Sequence, residues 1–412
     1  MEKTVITQNG LIFTENGKGE YCLSGTQELS EKIIEVPQSL CGVAVSEIGD
    51  YALLGNEECE CVILPEGITA IGAYAFGGCL SLCEISLPRS LKHVGAHAFF
   101  HSSALKTVNV PCAESWYGIC FENHFSSPMA YAEVLCENGI PVTEIRLPDG
   151  TDRILPFACA YTKGAKSVNV GRGVISIGTG AFAHSPSLEE IILPDGIHTI
   201  GAGAFAGCTA LKGIKIPDGI SEIDKSTFSE CTSLKEVSLP RSITFIGENA
   251  FTLCHGLKRI TLPPALTSIF AEAFIGCTSL EDITIPDTVD SIGDAAFCCC
   301  RALKCISLPD GITYVGERTF AGCHSLSSVK LPTGLTYLGE FAFEDCTSLT
   351  EITLPDTIST AEKNAFSGCT SLKDVFFSGS KSRWNTTVGD EKLGVLSGCT
   401  VHCSDGDLII SK

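Results

Sequence analysis

A proline follows an apolar residue at Pro194, Pro217, Pro240, Pro263, Pro286, Pro309, Pro332 and Pro355, each 23 residues after the one before. Pro65, Pro88 and Pro111 keep the same step. A fixed period of this length means that one supersecondary unit recurs and that neighbouring copies must share a core, because a single copy cannot close one. Pro148 starts a further unit, Gly171 takes the proline's place in the next, and Pro37 opens a first unit stretched to 28 residues, which makes fourteen units. The gap from Pro111 to Pro148 is 37 residues, so that unit carries 14 residues beyond the period.

With the proline as position zero, apolar residues occupy positions 3 and 6, as Val289 and Ile292 do, and Ala-Phe follows at 10 and 11. Cysteine comes at 14, then apolar residues at 17, 20 and 22, as in Leu280, Ile283 and Ile285. The period-2 spacing of the last two, with β-branched side chains, predicts a short strand that buries one face, while the glycine at 7 and the proline at 0 predict turns on either side. Phe76, Phe99, Phe182, Phe205, Phe228, Phe251, Phe274, Phe297, Phe320, Phe343 and Phe366 hold one core column, from which Cys159 departs.

The pattern LPxxIxxIGxxAFxxCxxLxxIxLP, carried by Leu193 to Pro217 and by Ile285 to Pro309, resembles the 23-residue leucine-rich repeat of the BspA-like (Treponema pallidum type) family. Ser39 to Leu53 resembles that family's entry repeat, and VFFSGSKSRW with the later CTVHCSDGD resembles its closing segment. The resemblance implies a leucine-rich-repeat right-handed solenoid with a parallel β-sheet on the concave face, short strands and 3-10 turns on the convex face, and little α-helix. It also implies an adhesion-like protein of a bacterial surface.

The expected organisation is one continuous solenoid. Residues 1–36 form an N-terminal capping segment, 37–111 a first array, 112–147 an irregular insert, 148–377 a second array and 378–412 a C-terminal cap. The two tryptophans, Trp116 and Trp384, each lie just past a unit start and read as stoppers. The insert is expected to cover the edge of the first array, with a short helix capped by Ser127 and started by Pro128.

The position-14 cysteines, from Cys208 through Cys369 with Cys79 earlier, read as a buried, reduced column of small side chains, since all point the same way and the total of 23 is odd. Replacing Cys277 by serine would then cost about 1–3 kcal/mol if the hydroxyl found no partner. Metal readings of Cys59, Cys61 and Cys83 and of Cys298, Cys299 and Cys305 lack the spacing of a CxxC knuckle, and His93, His97 and His101, four apart, would line one face only of a helix that the repeat forbids here. The stretch GAGAFAG is the repeat's own turn with small fillers rather than a phosphate loop. No cofactor is expected.

The net charge of −20 and pI near 4.8 repel nucleic acid and anionic membrane. No apolar run reaches the length of a membrane span, and the opening stretch lacks the apolar core of a signal peptide. The residues alone therefore predict an unexported chain, whereas the family resemblance points to the cell surface. Acids recur in columns and form no catalytic constellation, so the chain reads as a monomeric, non-catalytic scaffold for a protein or other macromolecular ligand. The alternatives are a passive spacer and, further off, a carbohydrate-active β-solenoid enzyme.

Two surfaces are candidates for binding. Positions 19 and 21 face outward on the predicted strands, which nominates Glu190, Lys215, Glu236, Arg259, Thr261, Asp282, Thr284, Lys330 and Glu351. The insert offers Trp116, Tyr117 and Phe125, expected to be exposed aromatic contacts.

Overall fold

The computed structural model describes residues 5–27, 29–147, 149–389, 393–394 and 398–410. Pro148, the expected start of a unit, lies outside them. The chain forms two compact units, residues 1–194 and 195–412.

The first unit opens with three antiparallel strands, Val5–Gln8, Leu11–Glu15 and Tyr21–Thr26, which bury Leu11, Phe13, Tyr21 and Leu23. Tyr21–Thr26 then pairs in parallel with Val43–Ile48, and from there Ala70–Ile71, His93–Val94 and Cys120–Phe121 extend a ladder of two-residue strands. A second parallel ladder of longer strands runs through Ile33–Glu35, Cys61–Ile63, Glu84–Ser86, Thr107–Val110 and Val134–Glu137. Paired residues are 23 apart wherever the repeat is regular, as Val62 and Ile85 are.

The insert differs from the expected edge cover. Cys120–Phe121 and Val134–Glu137 carry both ladders one rung further, and the longer-stranded sheet ends only where Val134–Glu137 folds back on Ile140–Pro141 as a hairpin. The extra residues are taken up in the turns around Cys120–Phe121, by the helical turns Ala113–Trp116, His124–Ser126 and Pro128–Ala130. Ser127 does cap the last of these, accepting from the Met129 N–H, with Pro128 at its first position, but the segment is a single 3-10 turn. A new sheet begins at Ile145–Arg146 and continues through Ser167–Asn169 and Glu190–Ile192.

The second unit repeats the plan. Gly213–Lys215 pairs with Glu236–Ser238, Cys305–Ser307 with Ser328–Lys330, and Glu351–Leu354 with Asp374–Phe377, all in parallel. The strand predicted around Ile283 shrinks to a single parallel bridge between Arg259 and Asp282. Its alternation survives, with Ile283 and Ile285 buried between exposed Asp282 and Thr284, so core packing rather than a full ladder holds this segment. Two-residue strands such as Phe245–Ile246, Ser268–Ile269 and Ser291–Ile292 form the other ladder. Thr400–Cys403 and Gly406–Ile409 close the unit as an antiparallel hairpin, and Trp384 packs against Phe377 with its ring buried.

The core follows the columns read from the sequence. From Phe205 to Phe366 each ring of the second unit stacks on the next at 5.2 to 5.6 Å, near the spacing of successive rungs. Around these rings the Ala-Phe turns form a third ladder: the N–H groups of Glu272, Phe274 and Gly276 donate to the carbonyls of Asp294, Ala296 and Cys298 on the following rung. Residues at positions 9 and 13 adopt left-handed backbone, as Glu272 (φ 58°) and Gly276 (φ 71°) do. Position 13 is often glycine, which adopts this conformation freely, but position 9 is filled by Tyr74, His97, Ser226, Arg318 and Phe341 among others, whose steric cost the repeated ladder bonds offset. The glycine at position 7 stands between strand and turn, as the spacing predicts, and has a second role: a Cβ on Gly293 would lie 2.4 Å from the Ala271 nitrogen. Adjacent rungs touch backbone to backbone there.

Candidate binding surface

On the longer strands, residues at position 20 are buried, apart from the half-buried Val329, and those at 19 and 21 stand outside, because successive side chains of a strand alternate between faces. All nine strand residues singled out from the sequence are exposed: Glu190 in the first unit, and Lys215, Glu236, Arg259, Thr261, Asp282, Thr284, Lys330 and Glu351 in the second. Asp282, Thr284 and Lys330 come together with Cys305 and Ser307 along a groove of about 330 Å³, whose rim carries Asp287 and Asp310. Charges at position 18 are organised between rungs: Lys304 pairs with Glu281 at 3.1 Å and Lys166 with Glu189 at 3.7 Å. The hydrogen bond and charge of Lys304 hold the Glu281 carboxyl below its ordinary range. These lysines therefore neutralise acids of their own column rather than those at position 19. Such exposed pairs contribute little to stability and leave the face polar.

The insert's aromatics divide. Trp116 and Tyr117 are 1% and 5% exposed and so are withdrawn from the surface, contrary to the expectation. Trp116 donates its indole N–H to the Ala158 carbonyl at 3.0 Å and packs 5.2 Å from Phe121. Ala158 precedes Cys159, where the phenylalanine column lapses as it does at Leu53 and Ser126, and burying two large rings beside it restores apolar volume to that rung. The Tyr117 hydroxyl is buried with no hydrogen-bond partner among the described residues.

Phe125 is half-buried and joins an assembly not foreseen from the sequence. Tyr51 stacks on Tyr74 at 5.6 Å, Tyr74 on His97 at 5.0 Å, and His97 meets Phe125 at 5.8 Å, with Phe100 edge-on at 5.1 Å from Phe125. The signal was present, since Tyr51, Tyr74 and His97 are 23 apart in successive units, but its meaning depended on the left-handed turn that stands them in line. Tyr51, at the end of the stack, is 57% exposed. His124, beside Phe125, has its pKa lowered by burial and by the neighbouring His184 and His97.

The three histidines of HVGAHAFFH do not converge: His93 pairs with Glu122 at 3.2 Å, His97 lies within the stack, and the backbone N–H of His101 donates to the Tyr131 hydroxyl. The Cys59 thiol donates to the Cys61 carbonyl and that of Cys83 to Ser81. Among the described residues no group of three or more His, Cys, Asp or Glu is placed to hold a metal ion, and no helix is long and apolar enough to cross a membrane.

Comparison with known proteins places this geometry. A structure of a leucine-rich repeat protein from Bacteroides ovatus is 27% identical with a TM-score of 0.60, over 98% of this chain and 98% of that one. A leucine rich cell surface protein from Faecalibacterium prausnitzii is 26% identical with a TM-score of 0.60, over 94% of this chain and 98% of that one. No curated protein matches the sequence. The family model for the BspA type leucine rich repeat region matches residues 19–127, 135–258, 175–304 and 290–388, which between them take in the phenylalanine and position-14 cysteine columns described above. The chain belongs to the BspA-type leucine-rich-repeat family.

Proposed function

We propose that this protein is a non-catalytic binding scaffold whose partner, a protein or another macromolecular surface ligand, docks on the exposed side of the longer strands. The observation that carries the reading is the run of outward-facing polar and charged side chains at positions 19 and 21, held on a backbone whose alternate residues are locked in the core. Such residues can be changed without loss of a core contact, and those of the second unit, from Lys215 to Glu351, offer a surface of the kind solenoids use for recognition. The net charge of −20 argues against a nucleic-acid partner. The likeness to a protein described as a cell surface protein supports a place for this scaffold at the cell surface, where an adhesion-type role would be exercised.

The test is to reverse Glu236, Arg259, Asp282 and Glu351 together and measure capture of partners from the surface of cells that share the protein's habitat. Binding lost with melting unchanged supports the strand face. No partner for the unaltered protein would favour a passive spacer. A second reading places the anchor at Phe125 and the Tyr51–Tyr74–His97 stack, because this aromatic assembly is partly exposed and Tyr is enriched among residues that dominate interface energy. Retention of binding in the strand variant and its loss in Phe125→Ser would favour that alternative.

A further inference from the structure

Cys298 and Cys299 stand apart from the other thiols described above. At position 14 the Cys300 thiol donates to the Phe274 carbonyl on the preceding rung, but the Cys298 thiol donates to the Cys299 sulfur, 3.7 Å away. Consecutive side chains on a strand would diverge; here the left-handed backbone of Cys299 (φ 61°) turns the two sulfurs to one side. Cys299 is half-buried and Cys298 is 9% exposed. In its column Cys299 stands between Gly276 and Gly322, neither of which has a side chain to cover the sulfur, and a Cβ on Gly322 would come within 3.2 Å of it. The repeat does not require either thiol: Ala206 and Ala321 hold the place of Cys298 on other rungs, and Gly276 and Gly322 that of Cys299.

We propose that Cys298 and Cys299 form a vicinal dithiol site for a soft electrophile with two thiol-reactive positions on one atom, the class represented by trivalent organoarsenicals, R–As(OH)2. The more accessible Cys299 sulfur bonds to arsenic first, and the displaced hydroxide leaves as water with the thiol proton. The Cys298 sulfur then displaces the second hydroxide in the same way. Two As–S bonds replace two As–O bonds, two waters are released, and no electron changes hands, so the step needs no oxidant. The 3.7 Å separation lets both sulfurs reach one atom without unfolding the turn. The site is independent of any partner on the strand face.

The experiment treats the native full-length chain with phenylarsine oxide in the presence of excess 2-mercaptoethanol, which competes off arsenic held by one thiol, and maps the retained adduct by mass spectrometry. The expected result is a single adduct on the peptide containing Cys298 and Cys299, released by 2,3-dimercaptopropanol, and lost in both Cys298→Ala and Cys299→Gly. These substitutions copy residues that other rungs already carry, and a thermal melt of each verifies the fold. Absence of a monothiol-resistant adduct on that peptide, or its persistence in either variant, overturns the proposal.

Discussion

The thiol of Cys277 donates to the carbonyl oxygen of Phe251 on the preceding rung, at 3.2 Å. Ser102, at the same place in its own unit, makes the equivalent bond to Phe76 at 2.6 Å, and Ser185 bonds the Cys159 carbonyl at 3.1 Å. Position 14 is therefore a donor site that either thiol or hydroxyl can fill. Cys277→Ser should cost less than about 1 kcal/mol, because its hydroxyl has a waiting acceptor, in contrast to the buried, unsatisfied group considered from sequence alone. Cys277→Ala should cost about 1–2 kcal/mol through loss of both the bond and some packing volume. Urea denaturation that ranks serine as the more damaging substitution would show that the carbonyl bond has no energetic role.

Phe274 lies between Phe251 at 5.2 Å and Phe297 at 5.4 Å. Emptying its site removes contacts with two rungs at once, so Phe274→Ala should destabilise the protein by roughly 3–5 kcal/mol. A loss under about 1 kcal/mol would contradict the stacked column.

Tyr117 buries a hydroxyl without a partner among the described residues. Tyr117→Phe should raise stability by about 1 kcal/mol, since the ring keeps its packing and the desolvated group is gone. A fall in melting temperature for this variant would mean that the hydroxyl is bonded in solution.

His402 bridges two carboxylates, with Nε2 3.0 Å from Asp374 and Nδ1 3.0 Å from Asp407, and its pKa is raised by the hydrogen bonds to Asp374 and then Asp407. Both nitrogens donate only in the imidazolium. Because the folded state holds this proton more tightly than the unfolded chain, whose pKa is about 6.5, the contribution is fully present below about pH 6.5 and is lost as pH rises through the folded pKa. Amide exchange in the closing hairpin, Thr400–Cys403 with Gly406–Ile409, should therefore quicken relative to the rest of the second unit as pH rises, once intrinsic exchange rates are divided out. His402→Gln should flatten that dependence.

Thiol labelling should separate two populations. Cys41, Cys120 and Cys305 are exposed and should react rapidly in the native protein, whereas burial pushes the Cys277 thiol up to about 12 and should leave it unreacted until denaturant is added. Early labelling at Cys277 would show that the column opens under native conditions.

The 23-residue step and the identity of the core columns are written in the sequence because a solenoid core is assembled from equivalent positions: a residue's place in the period tells whether it is inside. Phe274, Cys277, Leu280 and Ile283 could be assigned as buried, and Glu236 and Asp282 as exposed, from spacing alone. What spacing cannot give is the relation between non-equivalent positions on different rungs. The donation from Cys277 to Phe251 joins position 14 to position 11 of the rung before, and it exists only once the left-handed turns have aimed that carbonyl. Trp116 and Tyr117 read as surface aromatics because their segment breaks the period, but tertiary packing draws them beside Cys159, where apolar volume is missing. The Tyr51–Tyr74–His97–Phe125 stack has the same origin: the period supplies three of its rings, and the fold of the insert brings the fourth. Periodicity is a local property that determines repetition; irregular segments have no repeated neighbour to fix their environment, so only three-dimensional packing decides which of their side chains are buried.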